Sequence, residues 1–212
     1  MKPCIRVSLA VLCVITSCNA GGHCNCQREE ILETLPEVFE YRDAWPFLTS
    51  PETLYLMRLP RTPYIGPIQC VISKLNEKNP TFPSVRRLIL YIDPLQGSTW
   101  QRKSVTLTMQ NKTASKSSSS FTTTDLPRFG HEFPVVFADS KCLIFWILKS
   151  TIDGRRGCAW WVKKSAKDNS LWHCRLIFDF FCGVSYRQIY NKQACDHLTK
   201  QETINKRLLG NL

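Results

Sequence analysis

The chain has 212 residues, with 28 Lys or Arg against 17 Asp or Glu and a formal net charge of +11 at pH 7. It is long enough to form one domain with its own apolar core. The positive charge favours an acidic protein, a glycosaminoglycan or an anionic ligand as a partner, or simply a solvated surface. Because no basic run is interleaved with aromatic residues, the sequence argues against a nucleic-acid partner.

The first 20 residues have the pattern of a secretory signal. Lys2 and Arg6 precede an apolar run over residues 7–17, and small residues lie next to Ala20. The run is shorter than the ~20 residues that a membrane span needs, so we expect a secreted chain without a membrane partner. We predict a signal peptide over 1–20, a cysteine-containing tail over 21–27, one domain over 28–196 and a polar tail over 197–212.

Eight of the 11 cysteines follow the predicted cleavage site. In an oxidising compartment an even number of cysteines favours disulfides over metal binding. Cys24 and Cys26 lie beside His23, but a tetrahedral zinc site needs a second, spaced pair of ligands. We therefore expect no metal and no cofactor, and we expect a monomer in which Cys24 or Cys26 is available for a link between chains.

A short helix and six short strands are predicted before the last third of the chain. Over residues 29–41 apolar side chains recur at helical spacing, as Ile31, Leu35 and Val38 illustrate. The strand predictions rest on runs rich in β-branched and aromatic residues that are separated by Pro, Gly, Asn and Lys. These runs cover residues 54–59, 69–73, 87–92, 104–109, 120–124 and 133–137.

A polar, low-complexity stretch over residues 112–120 reads as a solvated turn. Asn111-Lys-Thr113 at its start is a glycosylation sequon, which suits a surface loop of a secreted protein. We therefore predict glycosylation at Asn111.

The last third carries five cysteines, on two strands, on a helix and in a short final strand. Residues 142–148 and 158–162 read as a hairpin, and Cys142 and Cys158 would lie at opposite ends of its ladder, roughly 23 Å apart. The helix is predicted over residues 169–183, capped by Asn169 or Ser170 and ended by Gly183. Its buried face has i, i+3, i+4, i+7, i+8 spacing and consists of Cys174, Ile177, Phe178, Phe181 and Cys182.

Disulfides could tie this helix along the hairpin in either direction. Cys142–Cys174 with Cys158–Cys182 fits the distances, and so does the crossed pairing. With the hairpin, the chain has eight short antiparallel strands, which favours a closed barrel or a sandwich.

Several segments together resemble the tick salivary lipocalins, often called histamine-binding proteins. The resemblance covers roughly residues 32–195. It rests on an ordered set of motifs: Leu54-Tyr-Leu-Met-Arg-Leu followed by Gln69-Cys-Val71, Asp139-Ser-Lys-Cys142, Gly157-Cys-Ala-Trp-Trp-Val162, Cys174 with Phe178, Cys182-Gly183, Tyr190 and Cys195.

This resemblance implies a mainly β fold, with domain 28–196 forming an eight-stranded antiparallel lipocalin barrel. A short helix would precede the barrel, and a C-terminal helix would be stapled to its wall by disulfides. The implied bridges are Cys70–Cys195, Cys142–Cys174 and Cys158–Cys182.

Two positions differ from the amine-binding members of that family. Those members carry Asp and Glu after the cysteines of strands seven and eight, where this chain has Leu143 and Ala159. Without a carboxylate, the ammonium group of a buried amine would be poorly compensated, so histamine or serotonin binding is disfavoured.

The resemblance, combined with period-two alternation, predicts an apolar pocket. Its ligand would be an eicosanoid, a fatty acid or a sterol-like host mediator, whose polar group would meet Arg58 or a basic residue at the rim. Sequestering that mediator would suppress inflammation or haemostasis. Trp146 and Trp160, on the opposite face, are expected to pack under the helix. The predicted pocket residues are Tyr55, Met57, Arg58, Tyr91, Leu143, Phe145, Ala159 and Trp161.

Two further functions are weighed against ligand sequestration. The outer surface could instead capture a host immune protein such as complement, through Arg155-Arg156 and Lys163-Lys164. An enzyme is not expected, because His131, His173 and His197 lie in no recognisable catalytic motif.

Overall fold

The computed structural model describes residues 40–62, 65–97, 100–110, 119–152, 155–182, 185–193 and 195–196. The predicted signal peptide, Cys24, Cys26, the sequon at Asn111 and the predicted tail over 197–212 lie outside the described residues, and so does most of the helix predicted over 29–41. Its last two residues form part of a 3-10 turn, Glu40–Arg42, and a one-turn helix α1, Trp45–Leu48, follows.

The strand predictions are confirmed, with the ends shifted by a few residues. The longer helix α2 spans Trp172–Cys182 and starts three residues later than predicted. The preceding residues 164–166 form a 3-10 turn, and the N–H of Asn169 donates to the carbonyl of Ala166 in a further turn. The strands are β1 Leu54–Pro60, β2 Gln69–Leu75, β3 Ser84–Ile92, β4 Trp100–Met109, β5 Ser120–Thr122, β6 Glu132–Ala138, β7 Cys142–Ile152, β8 Arg155–Lys163 and β9 Tyr186–Gln188.

Eight of these strands form a closed antiparallel barrel. Each strand from β2 to β8 pairs with its sequence neighbour, and β1 pairs with both β8 and β2. The short β9 pairs with the end of β1, with Leu59 opposite Arg187. Because the sheet of eight strands is closed, it has one inner face and one outer face. This confirms the predicted barrel and excludes the sandwich.

A β-bulge in β1 decides which side chains face inward. Leu54 and Leu56 follow strict alternation, but the register against β8 shifts between Leu56 and Arg58. A bulge adds one residue to one strand and reverses the phase of everything after it. Leu59 therefore points inward and Arg58 outward.

The outer side of the barrel wall packs against α2. Helix residues Cys174, Phe178 and Phe181 share one buried cluster with Trp146 and Trp160. The predicted buried face of α2 and the predicted placement of both tryptophans are confirmed. The centroid of the Trp160 indole ring lies 5.8 Å from the centroid of the Phe178 phenyl ring.

Three disulfides fasten this layer, and they are the pairs that the family resemblance implies. Cys142 bonds Cys174, Cys158 bonds Cys182, and Cys70 bonds Cys195. Cys195 lies in a helical turn and not in a final strand, since its N–H donates to the carbonyl of Asn191.

The expected 23 Å between Cys142 and Cys158 is wrong. The register places Cys158 opposite Trp146, four residues from Cys142 and about 13 Å along the strand. The eight residues of helix from Cys174 to Cys182 span about 12 Å, so strand and helix match in length.

Arg58 stabilises the contact between α2 and the barrel. Its guanidinium lies 3.9 Å from the centroid of the Tyr186 ring and 4.9 Å from that of Trp160. It also donates to Oδ1 of Asp179 on α2 at 3.1 Å. Burial lowers the pKa of Arg58 from its usual value. The cation thus lies between aromatic faces with an acid beside it, an arrangement that favours this helix position.

Among the described residues, the helices are too short or too polar to cross a lipid bilayer.

Removing a disulfide should destabilise the protein more when that disulfide closes a longer loop. We expect C70A/C195A to lower the free energy of unfolding by about 4–5 kcal/mol and C158A/C182A by about 3 kcal/mol. The reason is that the first bridge joins residues 125 apart in sequence and the second joins residues 24 apart. Guanidinium unfolding of both variants measures the difference, and an equal or reversed order would contradict the loop argument.

Candidate ligand-binding cavity

The barrel encloses a cavity of about 380 Å³. The connections after β1, β3 and β5 line one end of the cavity, and the exposed lining residues Gln96, Lys103 and Arg128 identify this end as its opening. Phe47 and Leu48 of α1 line the opposite end and are buried. The apolar wall is formed by side chains from all eight strands of the barrel. Its residues include Leu54, Leu56, Leu59, Val71, Ile89, Tyr91, Val105, Leu107, Phe121, Phe133, Leu143, Phe145, Ile147, Ala159 and Trp161.

Five of the predicted pocket residues line this cavity: Tyr91, Leu143, Phe145, Ala159 and Trp161. The phenyl ring of Phe145 packs edge to face against Phe121 and Phe133, with centroids 5.0 and 5.5 Å away. Phe145 and Trp161 are half-buried, so they present ring surface to the open volume.

Tyr55, Met57 and Arg58 lie outside the cavity, which corrects the prediction for these three residues. Tyr55 and Met57 have the opposite phase to Leu54 and Leu56 and pack into the outer cluster beneath α2. Arg58 would have the inward phase on a regular strand, but the β1 bulge turns it outward. It therefore cannot meet a ligand in the barrel.

Arg87 carries a buried positive charge near the closed end. Its side chain is 1% exposed, and it lines the cavity together with Ser73. The guanidinium donates to Oγ and the carbonyl of Ser73 and to the carbonyls of Leu48, Ser50 and Glu52, at 2.5 to 3.2 Å. Burial lowers the pKa of Arg87 to about 10, so it stays protonated at neutral pH.

The hydrogen bonds of Arg87 have an electrostatic consequence for the cavity. All five N–H donors are used by neutral oxygens, so the group needs no ligand, and among the described residues no acid pairs with its charge. A cationic ligand would meet repulsion at this end of the barrel and no carboxylate.

Two cations line the opening of the cavity. Lys103 continues the inward-facing row of Val105 and Leu107 on β4, and Arg128 lies in the connection between β5 and β6. Both side chains are exposed. Among the described residues, Asp93 is the acid that lines the cavity, and its carboxylate accepts the N–H of Leu95.

The sequence offered a signal for some of the residues that were missed. Val85, Arg87, Ile89 and Tyr91 alternate in one phase of β3, so the known position of Tyr91 would have pointed to Arg87. Lys103 is likewise in phase with Val105. Arg128 lies in a loop, where no periodicity indicates its direction.

Asp139, Cys142, His173 and Cys174 cluster on the outside of the barrel. The two sulfurs are joined to each other in a disulfide, so they are not free thiolates for a metal. Nε2 of His173 lies 3.0 Å from Oδ2 of Asp139, whose Oδ1 accepts the N–H groups of Lys141 and Cys142. The cluster thus holds the turn between β6 and β7 and the start of α2, outside the cavity.

Comparison with known families gives a match over most of the chain. The family described as "Tick histamine binding protein" matches residues 32–197. Comparison with curated proteins finds no match.

Comparison with solved structures finds several similar proteins. Japanin from Rhipicephalus appendiculatus, bound to cholesterol, is 15% identical with a TM-score of 0.52, and the match covers 69% of this chain and 97% of Japanin. Lobster apocrustacyanin A1 is 14% identical with a TM-score of 0.43, over 70% of this chain and 81% of that chain. H1 crustacyanin from the lobster Homarus americanus is 14% identical with a TM-score of 0.44, over 71% and 82%. The likeness to Japanin shows a common barrel architecture.

Replacing Arg87 should destabilise the closed end of the barrel. In R87M the carbonyls of Leu48, Ser50, Glu52 and Ser73 lose their donor, and we expect the free energy of unfolding to fall by at least about 3 kcal/mol. Arg86, the exposed neighbour on the same strand, provides the matched control. R86M should change the free energy of unfolding by less than about 0.5 kcal/mol. Equal stability of the two variants in denaturant unfolding would show that these hydrogen bonds only offset the cost of burying the charge.

Proposed function

The chain belongs to the tick histamine-binding protein family, and we propose that it binds and sequesters a small hydrophobic molecule inside its barrel. The ligand class that we favour is a fatty-acid-like or eicosanoid carboxylate. The observation that carries the proposal is a cavity walled by hydrocarbon and aromatic rings in which neutral side chains occupy the two positions of the family's amine-binding acids.

The apolar wall supports a hydrophobic ligand. Ligand cavities are commonly about 300–1,000 Å³, mostly apolar, with a few polar groups that set the orientation. The cavity of about 380 Å³ fits this description, with Phe145 and Trp161 offering ring faces to a bound chain. Burying apolar ligand surface there contributes roughly 25 cal/mol per Å².

The same wall argues against an amine ligand. Leu143 and Ala159 both line the cavity, so the neutral side chains lie where an ammonium would need compensation. Arg87 adds a positive charge at the closed end. Desolvating a cation in these surroundings would cost several kcal/mol without an opposing charge to offset it.

The basic groups at the opening support a carboxylate. Lys103 and Arg128 line the cavity where it meets solvent, and Arg87 has no N–H left to donate. A fatty acid with its hydrocarbon chain inward would place its carboxylate beside the two exposed cations. This orientation avoids burying the negative charge.

A sterol is the neutral alternative within this proposal. Japanin was crystallised with cholesterol, and its fold is similar to that of this chain. Cholesterol would use the hydrocarbon wall but not the charges of Lys103 and Arg128. The two ligand types can therefore be separated by whether the cations matter.

We propose that the chain is secreted into saliva and that removal of its ligand suppresses inflammation or haemostasis in the host. Binding is favoured over catalysis, since the family and its structural neighbours are ligand-binding proteins.

Capture of a host immune protein through the predicted basic surface is less well supported. The two basic pairs lie at opposite ends of β8, where Arg156 and Lys163 are seven residues and about 23 Å apart along the strand. The charge is therefore spread along the barrel and does not form one patch.

A larger side chain inside the cavity should weaken ligand binding. In A159W the added indole would occupy space beside Trp161, and we expect at least a tenfold weaker affinity for cis-parinaric acid, measured by energy transfer from tryptophan to the polyene. Leu148, an exposed residue next to inward-facing Ile147, gives the control L148W, which should bind as the original protein does. Unchanged affinity in A159W would place the ligand outside the cavity.

The cations at the opening should distinguish a carboxylate from a neutral lipid. We expect K103M/R128M to bind arachidonate about tenfold more weakly, because two exposed charge contacts are lost. Its methyl ester and cholesterol should bind equally well to both proteins. Equal loss for acid and ester in competition titrations would contradict the proposed orientation, and tight binding of cholesterol alone would favour the sterol.

A further inference from the structure

We propose that the open end of the barrel docks on the surface of an anionic phospholipid bilayer. This inference goes beyond ligand sequestration, and it revises the expectation from sequence that the chain has no membrane partner. It concerns attachment to the lipid headgroups, with no segment crossing the bilayer.

The first observation is an excess of positive charge around the opening, where Asp93 and Asp125 are the acids of the described connections. Lys103 and Arg128 line the cavity there, and Lys149 borders the adjoining surface hollow beside Arg128. Nζ of Lys149 donates to the carbonyl of Pro127 at 3.1 Å, a neutral acceptor that leaves its charge in place. Within the described part of the chain, these three cations form no ion pair with an acid.

The second observation is an apolar side chain that projects at the same end. Leu95 is 78% exposed and lies in the short 3-10 turn after β3, between Asp93 and Gln96, which both line the cavity. The carboxylate of Asp93 accepts the N–H of Leu95 and so holds this turn. An exposed leucine beside several cations is the combination by which proteins attach to the headgroup region of a membrane.

These features favour a lipid surface over an anionic glycan. A glycan would use the charges of Arg128 and Lys149 but not the exposed leucine or the apolar opening. On a bilayer, Leu95 would reach towards the acyl boundary while the cations meet phosphate and serine headgroups. The cavity opening would then face the hydrocarbon region from which a lipid can leave.

The closed end is a natural comparison within the same molecule. Lys141 and Lys164 are exposed there, but they lie near Asp139 and Glu52. The carboxylate of Asp139 accepts the N–H of Lys141, and that of Glu52 accepts the N–H of Ser165. Asp43 and Glu77 also lie in the described connections of this end, whereas those of the open end carry Asp93 and Asp125. The closed end therefore has more negative charge mixed with its positive charge, and we expect weaker attraction to an anionic surface.

The test is sedimentation with vesicles made without any ligand. The protein should bind phosphatidylserine/phosphatidylcholine vesicles, bind phosphatidylcholine vesicles far less, and be released by raised salt. Each cation at an anionic surface contributes roughly fivefold to the affinity, so R128E/K149E should weaken binding by at least about 25-fold. K141E/K164E makes the same charge change at the closed end and should stay within threefold of the original protein. L95S should weaken binding several-fold without altering the dependence on salt.

Three results would overturn the proposal. They are absence of binding to serine-containing vesicles at low salt, equal losses in the two charge-reversal variants, and binding to heparin with none to vesicles. Thermal unfolding of each variant confirms that the exposed substitutions leave the fold intact. Because the vesicles contain no ligand for the cavity, failure of the ligand proposal would not change these outcomes, and failure of docking would not change the titrations with soluble lipids.

Discussion

The pairing of β1 with β8 is the contact on which the rest of the structure depends. It converts a meander of eight strands into a closed surface and so separates an inner face from an outer wall. The bulge within this pairing sends Leu59 to the interior and Arg58 to the outside. A single strand thereby supplies both the cavity wall and the cation that contacts α2.

The outer wall is stabilised independently of the interior. Two disulfides fasten α2 to β7 and β8, a third ties the C-terminal segment to β2, and Arg58 is held between aromatic rings and Asp179. Because these contacts lie outside the barrel, the interior does not have to be filled tightly to stabilise the fold. A structure that obtains stability from covalent and outer-wall contacts can keep a cavity among its inward-facing side chains.

Much of this architecture could be predicted from the chain alone. Short β-rich runs located the eight barrel strands, and helical spacing from Cys174 to Cys182 identified the buried face of α2. The disulfide partners followed from the family resemblance and not from distance, which left two pairings open. Inward placement of Leu143, Phe145, Ala159 and Trp161 followed from alternation combined with that resemblance.

The errors have physical causes that a sequence does not display. Arg58 was misplaced because a bulge is defined by the pairing of two strands and not by the residues of one. Arg87 was overlooked even though it shares the phase of Tyr91 on β3, because the carbonyls of residues 48–52 that allow a cation to be buried here are distant in sequence. The separation of Cys142 and Cys158 depended on a register that was unknown before the strands were paired.

The proposed function follows from the absence of acids at positions 143 and 159 inside the barrel and from the cations at its opening. Neutral side chains at positions 143 and 159 and the charge of Arg87 disfavour cations, while hydrocarbon walls and exposed Lys103 and Arg128 suit an amphipathic anion. Native mass spectrometry of the protein secreted from lipid-replete cells tests this account most directly. The account predicts one bound lipid carboxylate per chain, which is lost when the cavity is filled by substitution. Recovery of the unliganded mass alone, or of an adduct that persists when the cavity is filled, would contradict it.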